Sequence, residues 1–379
     1  MYQGVVTIRI ALVTTSFYPG IGGAEFVMHH LANHWQRQGH DVCVINYRTG
    51  TAAHEDALYS VQKYGMLRGA SVFGSHRFPF SWYAVRAIAR RLREFNPDFI
   101  SAHFGYPVAL WLSCLKPMPR FLVTCHGPAL NETENGPRAR YGLDSRVADA
   151  LNRSVGAVAI SSHARRVMEK IGVDPDKIID IPNGVDCKRF RKPVSFDLRS
   201  RFSIPAGAPV ILSVGRENWA KAYDNALRAF AKLLDDVPRA YYVILGKRTD
   251  TWEPLAGQLG IKDSIRFCNG LYGDDLTGAY QQADIFLSSS IKELCPLVVL
   301  EAMAAGLPEV VTDVSGSQDM VTAGYNGIVV EPGNPDALAA ALRTLAGDEA
   351  MRKKYGAANL ERSREYDWDV ISRRYLEYA

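Results

Sequence analysis

The chain has 379 residues, of which 47% are hydrophobic and 22% charged, and its formal net charge is +4. This composition is typical of a folded globular protein and argues against intrinsic disorder. The slight excess of positive charge is too small to indicate a nucleic-acid partner. The longest apolar stretch falls far short of the roughly 18–20 residues that a membrane-spanning helix needs.

The first residues lack the basic region and the small-residue cleavage site of a secretory signal. The six cysteines are scattered, with no Cys-x-x-Cys pair. This distribution argues against a structural zinc site and against a disulfide scaffold. We therefore expect a cytoplasmic protein.

Short β-branched runs alternate with longer amphipathic segments along the chain, which is the pattern of parallel α/β units. The first half predicts strands over residues 8–14, 41–46, 99–102, 121–124 and 157–161, with helices over 24–38 and 81–95. A polar, proline-punctuated stretch over 186–209 follows. The second half predicts strands over residues 210–214, 241–245, 265–267, 285–288 and 309–312. Each half can therefore form its own doubly wound parallel sheet.

We predict an N-terminal domain over residues 1–187 and a C-terminal domain over residues 188–364. The amphipathic pattern over residues 365–379 predicts a last helix. It either completes the second domain or crosses back to the first, and we expect the crossing. Ligands of doubly wound sheets bind outside the carboxyl ends of the strands, so a cleft between the domains is the expected active site.

A glycine-rich turn containing Gly20, Gly22 and Gly23 separates the first strand from its helix. Backbone amides in such a turn can approach a phosphate at the positive end of a helix. Glu25 stands where a dinucleotide fingerprint has its third glycine. The second strand also ends in Asn46 instead of an acidic residue, so an NAD-dependent dehydrogenase is disfavoured. By itself the turn is compatible with a ligand contact or with a plain tight turn.

The second half of the chain contains two carboxylates and two cations that are candidate ligand-binding residues. Glu293 is predicted in a loop before a helix that Pro296 begins, and Glu301 lies within that helix among apolar residues. A carboxylate in such surroundings needs hydrogen-bond donors, for which vicinal sugar hydroxyls are suitable, unless it lies on a solvated face. Arg216 and Lys221 follow the strand over 210–214, where they can neutralise a diphosphate or remain ordinary surface cations.

The motifs occur in a recognisable order. They are Gly-Gly-Ala-Glu at 22–25, His-Gly at 126–127, Pro-Asn-Gly-Val-Asp at 182–186, Val-Gly-Arg-x4-Lys at 214–221, and Glu-x7-Glu at 293–301 followed by Ala-Met-Ala-Ala-Gly-x-Pro. This order resembles retaining glycosyltransferases of family four, over nearly the whole chain. The resemblance implies the GT-B fold, an α/β architecture of two Rossmann-like doubly wound parallel-sheet domains that face a central cleft.

The resemblance also implies an activity, the transfer of a hexosyl or N-acetylhexosaminyl group from a nucleotide diphosphate sugar, with UDP favoured. The implied chemistry is front-face displacement, with retention and without a metal or other cofactor. The donor-binding residues implied by the motif matches are Gly22, Gly23, Arg216, Lys221, Leu297, Val298 and Glu301. His126 near the reacting face and Glu293 on the sugar hydroxyls are the implied catalytic residues. His103 is a weaker candidate that also fits a core histidine.

The sequence departs from the family pattern in three places. Cys295-Pro296 replaces an aromatic residue and a glycine, and Pro296 cannot donate a hydrogen bond to a phosphate. Ala222 replaces the common glycine after the lysine. Gly246-Lys247-Arg248 stands in place of Gly-Asp-Gly and adds positive charge. None of these changes removes a motif cation or carboxylate, so we expect an active enzyme.

The acceptor is expected on loops of the first domain, with Glu25 and Arg138 as binding residues and the polar stretch over 127–142 as a lid. A sugar, a cyclitol or a lipid-linked molecule is compatible with the sequence. The basic helix over 81–95 suits a weak peripheral membrane contact or, preferably, a solvated face. The alternative functions are a sugar-nucleotide epimerase of the same fold and a non-catalytic two-lobed sugar-binding protein. No lysine supports a pyridoxal-dependent phosphorylase.

Overall fold

The computed structural model describes residues 6–17, 22–47, 56–65, 79–127 and 141–379. Two units can be distinguished, Met1–Asn183 together with Trp368–Ala379, and Gly184–Asp367. The first unit's main segment ends at Asn183, whereas the domain boundary predicted from the sequence follows residue 187. Val185 already belongs to the second unit, because its N–H donates to the carbonyl of Tyr366 at 2.8 Å.

The first unit contains a seven-stranded sheet in the order β3-β2-β1-β4-β5-β6-β7, with every pair parallel. Its strands are β1 (Arg9–Thr14), β2 (Asp41–Asn46), β3 (Ser60–Lys63), β4 (Phe99–His103), β5 (Phe121–Thr124), β6 (Gly156–Ala159) and β7 (Ile178–Asp180). The helices that follow them are α1 (Gly23–Arg37), α2 (Phe80–Phe95), α3 (Leu110–Ser113), α4 (Asp144–Asn152) and α5 (Ser162–Lys170). Short helical turns span Gly105–Ala109 and Pro175–Lys177.

The second unit contains a six-stranded parallel sheet in the order β10-β9-β8-β11-β12-β13. Its strands are β8 (Val210–Val214), β9 (Tyr241–Leu245), β10 (Ile265–Cys268), β11 (Ile285–Ser288), β12 (Glu309–Thr312) and β13 (Gly327–Val330). Its helices are α6 (Cys187–Arg191), α7 (Leu198–Phe202), α8 (Tyr223–Leu234), α9 (Glu253–Gln258), α10 (Gly273–Gln282), α11 (Leu297–Ala304), α12 (Ser317–Met320), α13 (Pro335–Gly347) and α14 (Glu349–Arg362). Short turns span Trp219–Lys221, Thr249–Trp252, Lys262–Ser264 and Ser363–Tyr366.

The central strands are buried over most of their length, because a parallel sheet carries helices on both faces. This explains why they are continuous apolar runs instead of alternating patterns. In β1, for example, Ile10, Ala11, Leu12 and Val13 are all fully buried. The structure confirms the predicted fold class of two Rossmann-like parallel sheets.

A last helix, α15 (Trp368–Leu376), belongs to the first unit. Nε1 of Trp35 in α1 donates to the carbonyl of Ser372 at 3.0 Å. The hydroxyl of Thr124 at the end of β5 donates to that of Tyr375 at 3.2 Å. The C-terminal residues therefore form part of the core of the first unit. In the described part of the chain, no helix is both long and apolar enough to cross a membrane.

Candidate active site

The loops after β8 and β11 bring two predicted site residues into direct contact. Nζ of Lys221 lies 2.7 Å from Oε1 of Glu293, and the hydroxyl of Ser290 donates to the same oxygen at 3.0 Å. The two charged side chains are only 19% and 18% exposed. Such partial burial strengthens an ion pair relative to one in bulk water.

The backbone fixes this approach. The N–H of Ile291 donates to the carbonyl of Ala220 at 2.8 Å, and the hydroxyl of Ser289 donates to the carbonyl of Lys221 at 2.8 Å. Both bonds connect the loop after β8 to the loop after β11. The spatial proximity of Lys221 and Glu293 therefore follows from the adjacency of these two strands in the sheet.

Gly316 supports the loop that carries Glu293. An added Cβ at Gly316 would lie 2.0 Å from the carbonyl oxygen of Leu294, and the residue has φ +85°. We expect Gly316→Ala to lower the free energy of unfolding by at least about 3 kcal/mol, since a left-handed alanine and an overpacked contact both oppose it. We also expect a lower kcat for Gly316→Ala, because the clash displaces the loop that carries Glu293.

The matched control for that substitution is Gly324→Ala. Gly324 has φ +78°, but an added Cβ there would meet no atom within 4 Å. This variant keeps the backbone penalty of about 1 kcal/mol and lacks the clash. Urea unfolding of both proteins measures the difference. Equal losses in the two variants would mean that the contact with Leu294 does not support the loop.

Glu301 lies in α11 with two partners that the sequence did not indicate. The hydroxyl of Tyr280 donates to its Oε2 at 2.7 Å. Arg189 is held beside α10 by bonds to the hydroxyl of Thr277 at 3.1 Å and to the carbonyl of Gly273 at 3.0 Å. Burial raises the pKa of Glu301, while the Tyr280 hydroxyl, Arg189 and Lys221 act in the opposite direction.

The remaining residues predicted for the donor differ in their surroundings. Arg216 is exposed after β8, and Leu297 and Val298 form the partly exposed first turn of α11. We predicted that Pro296 begins the helix, but the helix begins one residue later, at Leu297. Pro296 precedes the helix with ψ 114°, because its backbone still follows the extended path of the loop. The amide donors of the helix therefore begin at Leu297.

Ala222 has φ +46° and ψ +49°, a left-handed conformation that normally favours glycine. Its position explains why glycine is common after the lysine in the family that the sequence resembles. Lys247 and Arg248 are exposed after β9, where the carbonyl of Lys247 accepts a bond from the N–H of Glu217 at 2.8 Å. Positive charge thus lies at the carboxyl ends of two adjacent strands.

In the first unit, His126 belongs to a buried polar chain. Its Nε2 lies 2.9 Å from Nδ1 of His103, and Nε2 of His103 lies 3.2 Å from the hydroxyl of Ser101. The two imidazole rings are nearly parallel, at 13°, with centroids 5.2 Å apart. Burial lowers the pKa of His126 to about 4 and that of His103 well below its usual range. Both rings are therefore neutral near pH 7.

Phe104 lies beside this histidine pair in a strained conformation. Its φ of +74° is rare for an aromatic residue. Its N–H donates to the carbonyl of Thr124 at 2.9 Å, and its ring meets His126 edge-on with centroids 5.3 Å apart. Such strain persists only where the surrounding contacts enforce it, and it occurs frequently at functional sites.

The glycine turn is described in part. Gly22 precedes α1 in an extended conformation and Gly23 begins the helix. Oε1 of Glu25 accepts a bond from the hydroxyl of Ser16 at 2.5 Å, and an added Cβ at Gly22 would lie 2.5 Å from Oε2 of Glu25. Gly20, Arg138 and most of the expected lid over 127–142 lie outside the described residues.

Comparisons with known proteins identify the family and the fold. The sequence model of the family Glycosyl transferases group 1 matches residues 195–362, and that of Glycosyltransferase Family 4 matches residues 21–189. An uncharacterized glycosyltransferase of Methanocaldococcus jannaschii is 28% identical, with 96% of each chain covered. A D-inositol 3-phosphate glycosyltransferase of Nocardia farcinica is 30% identical, with 79% of this chain and 69% of the relative covered.

Among solved structures, HepE from Anabaena in complex with UDP and glucose superposes with a TM-score of 0.78 at 19% identity, over 98% of each chain. The fold and the family models together define a glycosyltransferase of the GT-B type. The chain belongs to the group 1 glycosyltransferases, which confirms the family that its motif order indicates.

Proposed function

We propose that the protein moves a hexosyl or N-acetylhexosaminyl group from a nucleotide diphosphate sugar to a hydroxyl of a small sugar or cyclitol, with retention. The observation that carries this proposal is the Lys221–Glu293 pair beside a Glu301 that Tyr280 holds. Lys221 also favours the ionised form of Glu301, so one cation acts on both carboxylates.

The leaving diphosphate is expected to bind Arg216, Lys221 and the amides of Leu297 and Val298. Preorganised cations and helix amides stabilise charge that develops on a leaving group. This supports catalysis without a metal ion. The proposal predicts that EDTA does not change the rate of transfer. A rate that falls in EDTA and recovers when Mg²⁺ is added would contradict it.

In the proposed reaction the acceptor oxygen attacks the anomeric carbon on the face that the phosphate oxygen leaves. The bond between the anomeric carbon and that phosphate oxygen breaks, and the acceptor's proton passes to the departing diphosphate. Glu293 would bind hydroxyls of the transferred sugar, and Glu301 would bind the ribose. They thus differ from the acid–base pair of a glycosidase.

The choice of UDP and of a polyol acceptor is supported by similar proteins, namely HepE with UDP and glucose and the D-inositol 3-phosphate glycosyltransferases. Glu25, with its carboxylate on Ser16, and Arg138 remain the proposed acceptor residues. The Gly22 and Gly23 amides are proposed to contact the donor phosphate. A lipid-linked acceptor is the alternative.

A weak membrane contact through α2 stays a prediction. Trp82 and Tyr83 are exposed on that helix, and the guanidinium of Arg86 lies over the Trp82 ring at 4.2 Å. However, Arg90 and Arg91 are paired with Glu94. This partial neutralisation favours the solvated face over the membrane.

The donor site is tested by thermal unfolding with UDP, GDP or ADP. A ligand that binds only the folded state at 100 times its Kd stabilises it by about 2.7 kcal/mol. We expect UDP to raise the melting temperature most. We expect Glu301→Ala to remove most of that rise, because the ribose loses its acceptor. We expect Glu293→Ala to keep the UDP response while kcat falls.

Product analysis separates the proposed activity from its alternatives. Mass spectrometry and NMR of the product should identify a new glycosidic bond with retained anomeric configuration. A changed sugar nucleotide formed without any acceptor would indicate the epimerase. Sugar binding without turnover or a nucleotide response would indicate the non-catalytic protein. If no nucleotide raises the melting temperature of the wild type, the assignment of the donor site is wrong.

A further inference from the structure

Ser101 in the middle of β4, His103 at its carboxyl end and His126 just after β5 form a chain of hydrogen bonds. Ser101 and His103 are fully buried, and His126 is 3% exposed. Ser101 and His103 are two residues apart in β4, so their side chains lie on the same face of the sheet. Only the proton positions determine in which direction this chain of hydrogen bonds runs.

The hydroxyl of Ser101 fixes that direction. Among the described residues, Nε2 of His103 is its one hydrogen-bond partner. If Ser101 accepted a proton there, its own O–H would have no acceptor, and a buried unsatisfied donor costs about 1–3 kcal/mol. Ser101 therefore donates to Nε2 of His103.

The rest of the chain follows from this bond. A neutral imidazole carries one N–H and one acceptor nitrogen. With Nε2 of His103 accepting, its proton lies on Nδ1 and is donated to Nε2 of His126. His126 then carries its own proton on Nδ1, which has no hydrogen-bond partner among the described residues. This direction leaves the unpaired donor on the side chain that keeps 3% exposure, whereas the opposite direction would leave it on Ser101, which has none. The lowered pKa values of both rings support this arrangement, because a neutral ring has a single N–H.

We infer that Ser101 and His103 are positioning residues that fix His126 as its Nδ1–H tautomer, so that it offers the substrate a hydrogen-bond donor and no basic nitrogen. This inference rests on the proposed function. In that reaction His126 would donate to an oxygen of the sugar and could not take the acceptor's proton. The departing diphosphate remains the group that receives it.

The tautomer can be measured without any substrate. In ¹⁵N NMR of histidine-labelled wild-type protein, we expect His126 to have a protonated Nδ1 and an unprotonated Nε2. Its signals are assigned by their loss in His126→Asn. In Ser101→Ala, where nothing fixes the His103 proton, we expect His126 to be divided between both tautomers. A wild-type His126 with its proton on Nε2 would overturn the inference, whether or not the protein transfers sugar.

Kinetics of three His103 variants test whether the tautomer matters for catalysis. The amide nitrogen of His103→Asn can replace Nδ1 as a donor to His126, whereas that of His103→Gln lies nearer the former Nε2, and His103→Leu has no donor. We expect kcat to fall about 10–100-fold in the leucine variant, with the donor KM within about twofold, and to recover substantially only in the asparagine variant. Equal losses in all three would mean that His103 only fills space.

Discussion

Replacing Lys221 by methionine is expected to lower kcat about 100- to 1,000-fold, the usual cost of removing one preorganised donor from a developing charge. Methionine keeps most of the length and apolar stem of lysine and removes the ammonium that lies 2.7 Å from Glu293. The variant also leaves a largely buried carboxylate without its cation. We therefore expect the free energy of unfolding to decrease by about 1–3 kcal/mol. Steady-state kinetics and urea unfolding measure the two effects.

The control is Lys232→Met, which makes the same change at another ion pair. Lys232 in α8 is paired with Asp336, and both side chains are well exposed. Exposed pairs contribute little, so we expect kcat within about twofold of the wild type. If Lys221→Met kept wild-type turnover, Lys221 would have no role on the diphosphate.

A double substitution separates the two functions of Lys221. If the lysine acts only through Glu293, Lys221→Met combined with Glu293→Gln should be no slower than Glu293→Gln alone. If it also stabilises the diphosphate, as proposed, the double variant should be slower than either single variant. Coupled residues are non-additive, so the full cycle of four proteins is required.

The sequence predicts the central strands well. The predicted bounds 41–46, 121–124, 210–214, 241–245, 285–288 and 309–312 coincide with β2, β5, β8, β9, β11 and β12. These strands are buried on both faces, so their apolar runs end where the turn residues begin. The strands β3, β7 and β13 are edge strands of their sheets, and the sequence did not predict them. An edge strand needs fewer apolar residues, and its pattern is weaker.

The candidate site is harder to predict from the sequence, because its residues contact partners that are far away along the chain. The apolar surroundings of Glu301 indicate that it needs a hydrogen-bond donor, but no spacing identifies Tyr280 as that donor. Similarly, His103 looks like a core histidine until its bond to His126 is seen. Such pairs arise from strand and helix adjacency, which short-range periodicity does not encode.

Glu309 is the most unusual buried group of the second unit. It begins β12 with no exposed surface, and within the described residues neither of its carboxylate oxygens has a hydrogen-bond partner. Its strand lies between β11 and β13, where Glu309 pairs with Phe286 and Gly327. Burial raises the pKa of Glu309 well above its usual range. The carboxyl therefore favours its neutral form in the folded protein.

The sign of the pH effect follows from that shift. An acid whose pKa is higher in the folded state binds its proton more tightly there. Its contribution to stability is complete below the unfolded pKa of about 4.3 and is lost progressively as the pH rises towards the folded value. The histidines whose pKa is lowered by burial act in the opposite direction below about pH 6.5. Only a comparison of variants at each pH isolates Glu309.

We expect Glu309→Met to raise the free energy of unfolding by about 1–3 kcal/mol at pH 8 and by less at pH 5, because methionine fills a similar volume without an unpaired polar group. Glu309→Gln should remove the contribution of Glu309 to the pH dependence and keep part of the burial cost. Glu331→Met changes an exposed glutamate after β13 and should have an effect within about 0.5 kcal/mol. Urea unfolding at pH 5, 6.5 and 8 measures all three. A methionine variant that is less stable at every pH would mean that the carboxyl itself stabilises β12.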